Sequence, residues 1–265
     1  MLRTAILLVA TLLAAPALAG ATDWQELAPG AQARLISAGS VKNGTTLVAL
    51  ELDMPSNMNT YWRIAGETGI PSEFDFSASQ GVASSNAIWP YPRIHYSEGY
   101  RDYVYFGPVV FPVELAVTGD SAVVDLTATM GICSDVCMPA RAHFTLPLDF
   151  TAPDPAQALR IRQALVLAPI DWDKASVAFV DVRAAPGGLT IQGPDGSIDP
   201  ESVIADLGDP AVLFGAPQKS PDGNLWEVPL LGGAEGAGLA GRTVQLTFLT
   251  PEGPYSVSRI VSPTE

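Results

Sequence analysis

The sequence predicts an all-β protein in two units: an antiparallel β-sandwich over residues 22–150, then a second, smaller β-rich domain over residues 172–265. Three observations predict it. The 265 residues include 24 Gly and 23 Pro, spread along the chain rather than clustered, which suits many short strands joined by turns. Hydrophobic residues make up 48 %, enough for a real core and too many for a disordered chain. Strand-like runs recur at intervals of about eight to twelve residues, the spacing of a sandwich.

Met1 to Ala19 reads as an export signal rather than as part of the fold. Arg3 precedes an apolar run from Ala5 to Ala15, and Ala17-Leu18-Ala19 closes it as a small-x-small cleavage site. The run falls short of the ~20 residues that span a bilayer, and no later stretch is apolar for long enough. The expected mature chain is exported to the periplasm and has no membrane span.

Within residues 22–150, Thr45–Leu52, Val109–Val117, Ser121–Thr129 and Arg141–Phe150 are expected strands. Ile64 to Gly107 is rich in Pro, Gly, Ser and aromatics, a mixture of short strands and loops of the kind that carries function. A linker over 151–171 contains a short helix from about Asp154 to Ala168. Thr151 and Asp154 are its candidate caps and Pro155 its first-turn residue. From Trp172 onward β patterns return at 175–183, 188–192, 211–214, 225–230, 243–249 and 255–261, with a Gly-rich loop at Gly232–Gly241. This second unit has neither Cys nor His, so its expected role is structural or in docking.

Charge narrows the partners. Asp and Glu number 28 against 14 Lys and Arg, a net −14, whereas nucleic acid and anionic membrane surfaces both call for a basic face.

The sharp chemistry lies in Gly131-Ile132-Cys133-Ser134-Asp135-Val136-Cys137-Met138-Pro139. In an extended strand the two cysteines would stand roughly 13 Å apart, while a disulfide needs Cα atoms about 5.5 Å apart. Bonding therefore requires the segment to turn back, and Ser134-Asp135 supplies turn chemistry. Three readings stand side by side: a structural disulfide, a redox pair that cycles between dithiol and disulfide, and a soft Cu(I) site of Cys133, Cys137, Met138 and His143, with Met130 in reserve. The exported compartment suits a disulfide.

The surrounding residues resemble a known family. Asn59-Thr60-Tyr61-Trp62-Arg63-Ile64-Ala65-Gly66, Gly69-Ile70-Pro71, Ile88-Trp89-Pro90-Tyr91-Pro92-Arg93, Val110-Phe111-Pro112-Val113 and the Cys133–Pro139 segment follow one another in an order similar to the periplasmic N-terminal domain of the thiol:disulfide interchange protein DsbD, in its ScsB-like branch. The resemblance covers about residues 25–150. It implies an immunoglobulin-like sandwich whose cysteine pair takes electrons from a membrane-embedded thiol relay and passes them to periplasmic partner proteins, with no cofactor. It makes Cys133 and Cys137 the redox pair, with Cys137 the attacking thiol. It places Trp62 where an aromatic lines the site, and gives a cap loop its counterpart in His95-Tyr96-Ser97-Glu98-Gly99-Tyr100-Arg101. The family's membrane relay and thioredoxin-like domain have no counterpart here, so the electron donor would be a separate membrane protein.

Other residues invite both functional and packing readings. Asp135, between the cysteines, would raise a thiol pKa by repulsion or accept a proton. Tyr61 and Trp62 are candidate supports for the site, yet Tyr61, Trp62, Trp89 and Tyr91 are each better explained as core or rim packing than as chemistry. Tyr96, Tyr100, Tyr103 and Tyr105 are the better candidates for covering a reactive centre. His143 suits a solvated strand position as well as a functional one.

Overall fold

The computed structural model describes residues 20–172, 179, 181–193, 198–220, 225–232 and 238–264. The expected signal peptide, most of the expected strand at 175–183 and the centre of the Gly-rich loop lie outside the described residues.

Eleven strands build the first unit: β1 (Gln25–Ala28), β2 (Ala31–Lys42), β3 (Thr45–Asp53), β4 (Asn59–Gly66), β5 (Glu73–Asp75), β6 (Val82–Ala87), β7 (Arg93–Ser97), β8 (Tyr100–Phe106), β9 (Val109–Val117), β10 (Ser121–Cys133) and β11 (Cys137–Asp149). They form two antiparallel sheets, ordered β1-β2-β3-β9-β6 and β11-β10-β4-β8-β7, with β5 added on β10. The sheets enclose a core to which β3 and β9 contribute Leu50, Leu52, Phe111 and Val113, and β10 and β11 contribute Leu126, Met130, Ile132 and Phe144. From Ala140 onward, the strict alternation of buried and exposed residues along β11 fixes its register, because a slip of one residue would turn the apolar set to solvent. This is the expected immunoglobulin-like sandwich. Its β2–β3 hairpin closes on Asn43-Gly44, both at positive φ, as a two-residue turn matched to strand twist demands.

Helix α1 (Pro155–Leu165) follows, capped by Asp154, whose carboxylate accepts the N–H groups of Ala156 and Gln157. Thr151 is not a cap; it bonds the Asp149 carboxylate instead. Nor does the helix hang in a linker. Ile161 is fully buried against Ile36, Ala38 and Ala49, so α1 packs on the outer face of the β2–β3 sheet.

The second unit comprises β12 (Ile170–Asp171), β13 (Asp181–Ala185), β14 (Gly188–Gln192), β15 (Ile204–Asp206), β16 (Gln218–Lys219), β17 (Leu225–Pro229), β18 (Thr243–Thr250) and β19 (Gly253–Ile260). They make two four-stranded sheets, β12-β19-β18-β15 and β13-β14-β17-β16. A separate core of Phe179, Ile191, Trp226, Val244, Leu246 and Phe248 holds them together. The strand expected at 211–214 is absent. The Asp209 carboxylate and carbonyl accept the N–H groups of Ala211 and Val212 in a turn, and only Phe214 makes a bridge, to Leu230.

The two units meet through polar contacts around one buried apolar anchor. Ile204, on β15, is fully buried and belongs to the first unit's core. Arg63 donates to both carboxylate oxygens of Asp206, each at 2.8 Å, and also to Gln245. The Tyr91 hydroxyl donates to the Ser202 carbonyl, and Arg101 reaches the carbonyls of Glu201 and Val203.

Candidate functional site

The β10–β11 ladder runs without a break from Ser121↔Asp149 to Cys133↔Cys137, and Ser134-Asp135-Val136 closes it. Two strands of opposite direction thus bring together cysteines that an extended chain would hold apart. They are joined as a disulfide, with Cα atoms 4.0 Å apart. Their surroundings differ. Cys133 is 2 % exposed and packs with Tyr61, Ala65, Val104 and Phe106, whereas Cys137 is exposed on the hairpin end beside Val136 and Met138.

Neighbouring strands set the floor of the site. Cys133 stands opposite Asn59 of β4, and Asn59 stands opposite Phe106 of β8, so the three share one face of the sheet. Two residues on, Tyr61 returns to that face, and its hydroxyl lies 3.3 Å from Sγ of Cys133 and 3.3 Å from Sγ of Cys137. Burial, reinforced by the Asp102 carboxylate, holds the Tyr61 phenol above its ordinary pKa. It therefore stays protonated at neutral pH and is a hydrogen-bond donor to a sulfur that gains charge.

The segment Glu67–Pro71 lies over the Tyr61 ring. A Cβ on Gly69 would fall 2.3 Å from Tyr61 Cδ1, so only glycine lets the backbone come this close. A Cβ on Gly131 would likewise meet Ile70 and the same ring at 3.0 and 3.1 Å. Thr68 donates from its backbone N–H and its hydroxyl to Asp102, and Ser72 donates from its hydroxyl to the Tyr61 carbonyl.

Several expected site residues stand elsewhere. Trp62 does not line the disulfide. It is buried in the sandwich core edge-on to Tyr103, because adjacent strand residues point to opposite faces. The expected cap is the β7–β8 hairpin, closed on Glu98-Gly99 at positive φ. Its exposed Tyr96, Glu98 and Tyr100 sit at the far end of β8, six residues from Phe106, or roughly 20 Å along an extended strand. Arg101 is buried and points to the second unit rather than covering cysteines. Tyr103 and Tyr105 belong to the core, and the Tyr105 hydroxyl donates to the Pro90 carbonyl. Asp135 is exposed at the hairpin loop between the two cysteines.

The copper set is not assembled. His143 pairs with Thr127, six residues down the ladder from Cys137 and so roughly 20 Å away, and its Nε2 bonds Asp125. Met130 is buried in the core; only Met138 is exposed next to the pair. Among the described residues no group of three or more His, Cys, Asp and Glu is placed to hold a metal.

The segment missed by sequence reasoning is Glu67–Pro71. Its signal was present in Gly69-Ile70-Pro71, but a sequence does not say which ring a glycine must clear.

Comparison with known proteins follows the same lines. Residues 25–149 match the family model described as "Thiol:disulfide interchange protein DsbD, N-terminal". The crystal structure of the N-terminal periplasmic domain of ScsB from Proteus mirabilis superposes with a TM-score of 0.69 at 24 % identity, covering 92 % of this chain and 98 % of that one. At that identity the likeness is one of fold, and it extends over both units. No curated protein matches the chain. The matched segment contains the cysteine hairpin, Tyr61 and the loop that covers its ring, so the likeness to the DsbD N-terminal domain falls on the part of the chain that carries the candidate site.

Proposed function

We propose that this protein is a periplasmic thiol–disulfide exchange protein that carries electrons from a membrane-embedded thiol donor to periplasmic partner proteins. The observation that carries the reading is the asymmetry of the pair. Cys137 is open to a partner, Cys133 is buried behind it, and one phenol touches both sulfurs.

The reduced protein begins the cycle. The Cys137 thiolate attacks one sulfur of a partner disulfide; an S–S bond forms to that sulfur, and the other leaves as a thiolate that takes a proton. Cys133, once deprotonated, attacks Sγ of Cys137 and expels the partner's second thiolate, which is protonated in turn. Two electrons have passed, the partner is a dithiol and the Cys133–Cys137 disulfide is restored. The membrane donor's dithiol reverses these bonds. The Tyr61 hydroxyl donates to whichever sulfur carries charge, a bond stronger than one to a neutral atom.

The test pairs two variants with one probe, glutathione disulfide. Reduced Cys133→Ser is expected to accumulate a stable glutathione adduct on Cys137, and Cys137→Ser to react far more slowly. The wild-type reduction potential is expected between about −180 and −270 mV. A potential below about −300 mV overturns the proposal in favour of a structural bond, and faster adduct formation on Cys133 overturns the choice of Cys137 as the attacking thiol.

A further inference from the structure

The second unit contains no redox residue, yet one side chain of the redox domain is buried in its surface. Arg101, 3 % exposed, donates through Nη2 to the carbonyls of Val203 at 3.1 Å and Glu201 at 3.2 Å. Its Nε and Nη1 find no hydrogen-bond partner among the described residues. Burying a guanidinium with the three N–H groups of Nε and Nη1 unpaired costs stability, so stability alone does not account for the arrangement.

The backbone at Arg101 leads back to the cysteines in short steps. Arg101 donates its N–H to the Glu67 side chain at 2.9 Å and accepts the Glu67 N–H at 3.1 Å. The next residue, Asp102, is buried and holds both the N–H and the hydroxyl of Thr68. Gly66, opposite Asp102, has φ +98°, and a Cβ there would clash with the Arg101 carbonyl oxygen, so only glycine lets the start of the loop lie this close to β8. Gly69, one residue past Thr68, lies on the Tyr61 ring, and the Tyr61 hydroxyl touches both sulfurs.

We infer that Arg101 is a positioning residue through which the second unit holds the Glu67–Pro71 loop, and thereby Tyr61, against the cysteine pair. This rests on the exchange function proposed above. The second unit then acts on the redox centre at a distance: a fixed phenol donor stabilises the thiolate of the reduced form, and stabilising the reduced form makes a pair more oxidising. Loosening the brace makes the pair more reducing and raises the Cys137 thiol pKa.

The experiment measures, on the full chain, the equilibrium with glutathione and the pH dependence of Cys137 alkylation by iodoacetamide. Arg101→Ala is expected to shift the equilibrium about tenfold toward the disulfide, about 30 mV for this two-electron couple, and to move the alkylation profile to higher pH. Arg101→Lys, which keeps a donor for the two carbonyls, restores most of both. Thr68→Val removes the hydroxyl bond to Asp102 without touching the second unit, and is expected to shift both in the same direction. Tyr91→Phe removes the Ser202 contact at the same junction and is expected to shift neither.

A wild-type-like equilibrium in Arg101→Ala overturns the inference whatever Thr68→Val does, and a wild-type-like Thr68→Val removes the path through Asp102. An equal shift in Tyr91→Phe also overturns the inference, because it would mean that unit attachment in general matters rather than this path. If Arg101→Ala does not fold, Thr68→Val and Arg101→Lys decide. A wild-type disulfide that glutathione cannot open is the failure of the proposed function, and is read before any variant.

Discussion

The Tyr61 hydroxyl and the exposed Sγ of Cys137 lie 3.3 Å apart, although 76 residues separate them in the chain. Tyr61→Phe removes this donor and little else, since the ring keeps its contacts with Gly69 and Gly131. A hydrogen bond to a charged group contributes about 1.5 kcal/mol or more, so the Cys137 thiol pKa is expected to rise by about one unit. Iodoacetamide alkylation at neutral pH slows correspondingly, about tenfold, and an unchanged pH profile would remove the phenol from the mechanism.

Gly69→Ala drives a methyl group toward the Tyr61 ring, where its Cβ would stand 2.3 Å from Cδ1. Overpacking of this kind costs about 1–3 kcal/mol. Urea unfolding is expected to show that loss, and the variant is expected to reproduce part of the slowed alkylation of Tyr61→Phe.

Asp206 is 1 % exposed at its side chain and pairs with both Arg63 Nη atoms. Asp206→Ala leaves the guanidinium without its carboxylate at the junction of the units. Removing one partner of a buried pair costs about 3 kcal/mol or more, to be read as a lower urea midpoint. Equal stability would show that the pair contributes only orientation.

Ile161 is the fully buried contact of α1 on the first sheet. Ile161→Ala is expected to destabilise by about 2–5 kcal/mol, through lost burial and the cavity left behind. A helix that served only as a tether would tolerate the change.

Burial raises the pKa of four tyrosines: Tyr61, Tyr91, Tyr103 (pushed up to about 12) and Tyr105. Below about pH 10 these phenols are protonated in folded and unfolded chains alike and the shift has no effect on stability. Above it the unfolded chain releases protons that the folded chain retains, so stability falls as pH rises from about 10 toward 12. Circular dichroism and tyrosinate absorbance are expected to change together in that range; ionisation of all seven tyrosines with the fold intact would contradict the burial.

The sequence by itself determined the strands whose apolar residues alternate and whose ends carry turn residues, such as Thr45–Asp53, Val109–Val117 and the two arms of the cysteine hairpin. It allowed the Cys133–Cys137 pairing as well, because a turn between two cysteines four residues apart is local chemistry. It determined the helix start at Asp154 for the same reason. Tertiary structure alone decided which aromatic of Tyr61-Trp62 meets the sulfurs, since that depends on which face of β4 the hairpin covers. It alone made Arg101 a link between units rather than part of a cap, and carried His143 away from the cysteines by the length of a ladder. Turns, caps and alternation are set by residues a few positions apart, where the chain's own geometry dictates who meets. Contacts such as Arg101 with Val203 or Tyr61 with Cys137 arise only when separate elements pack, and their partners leave no periodic trace in either segment.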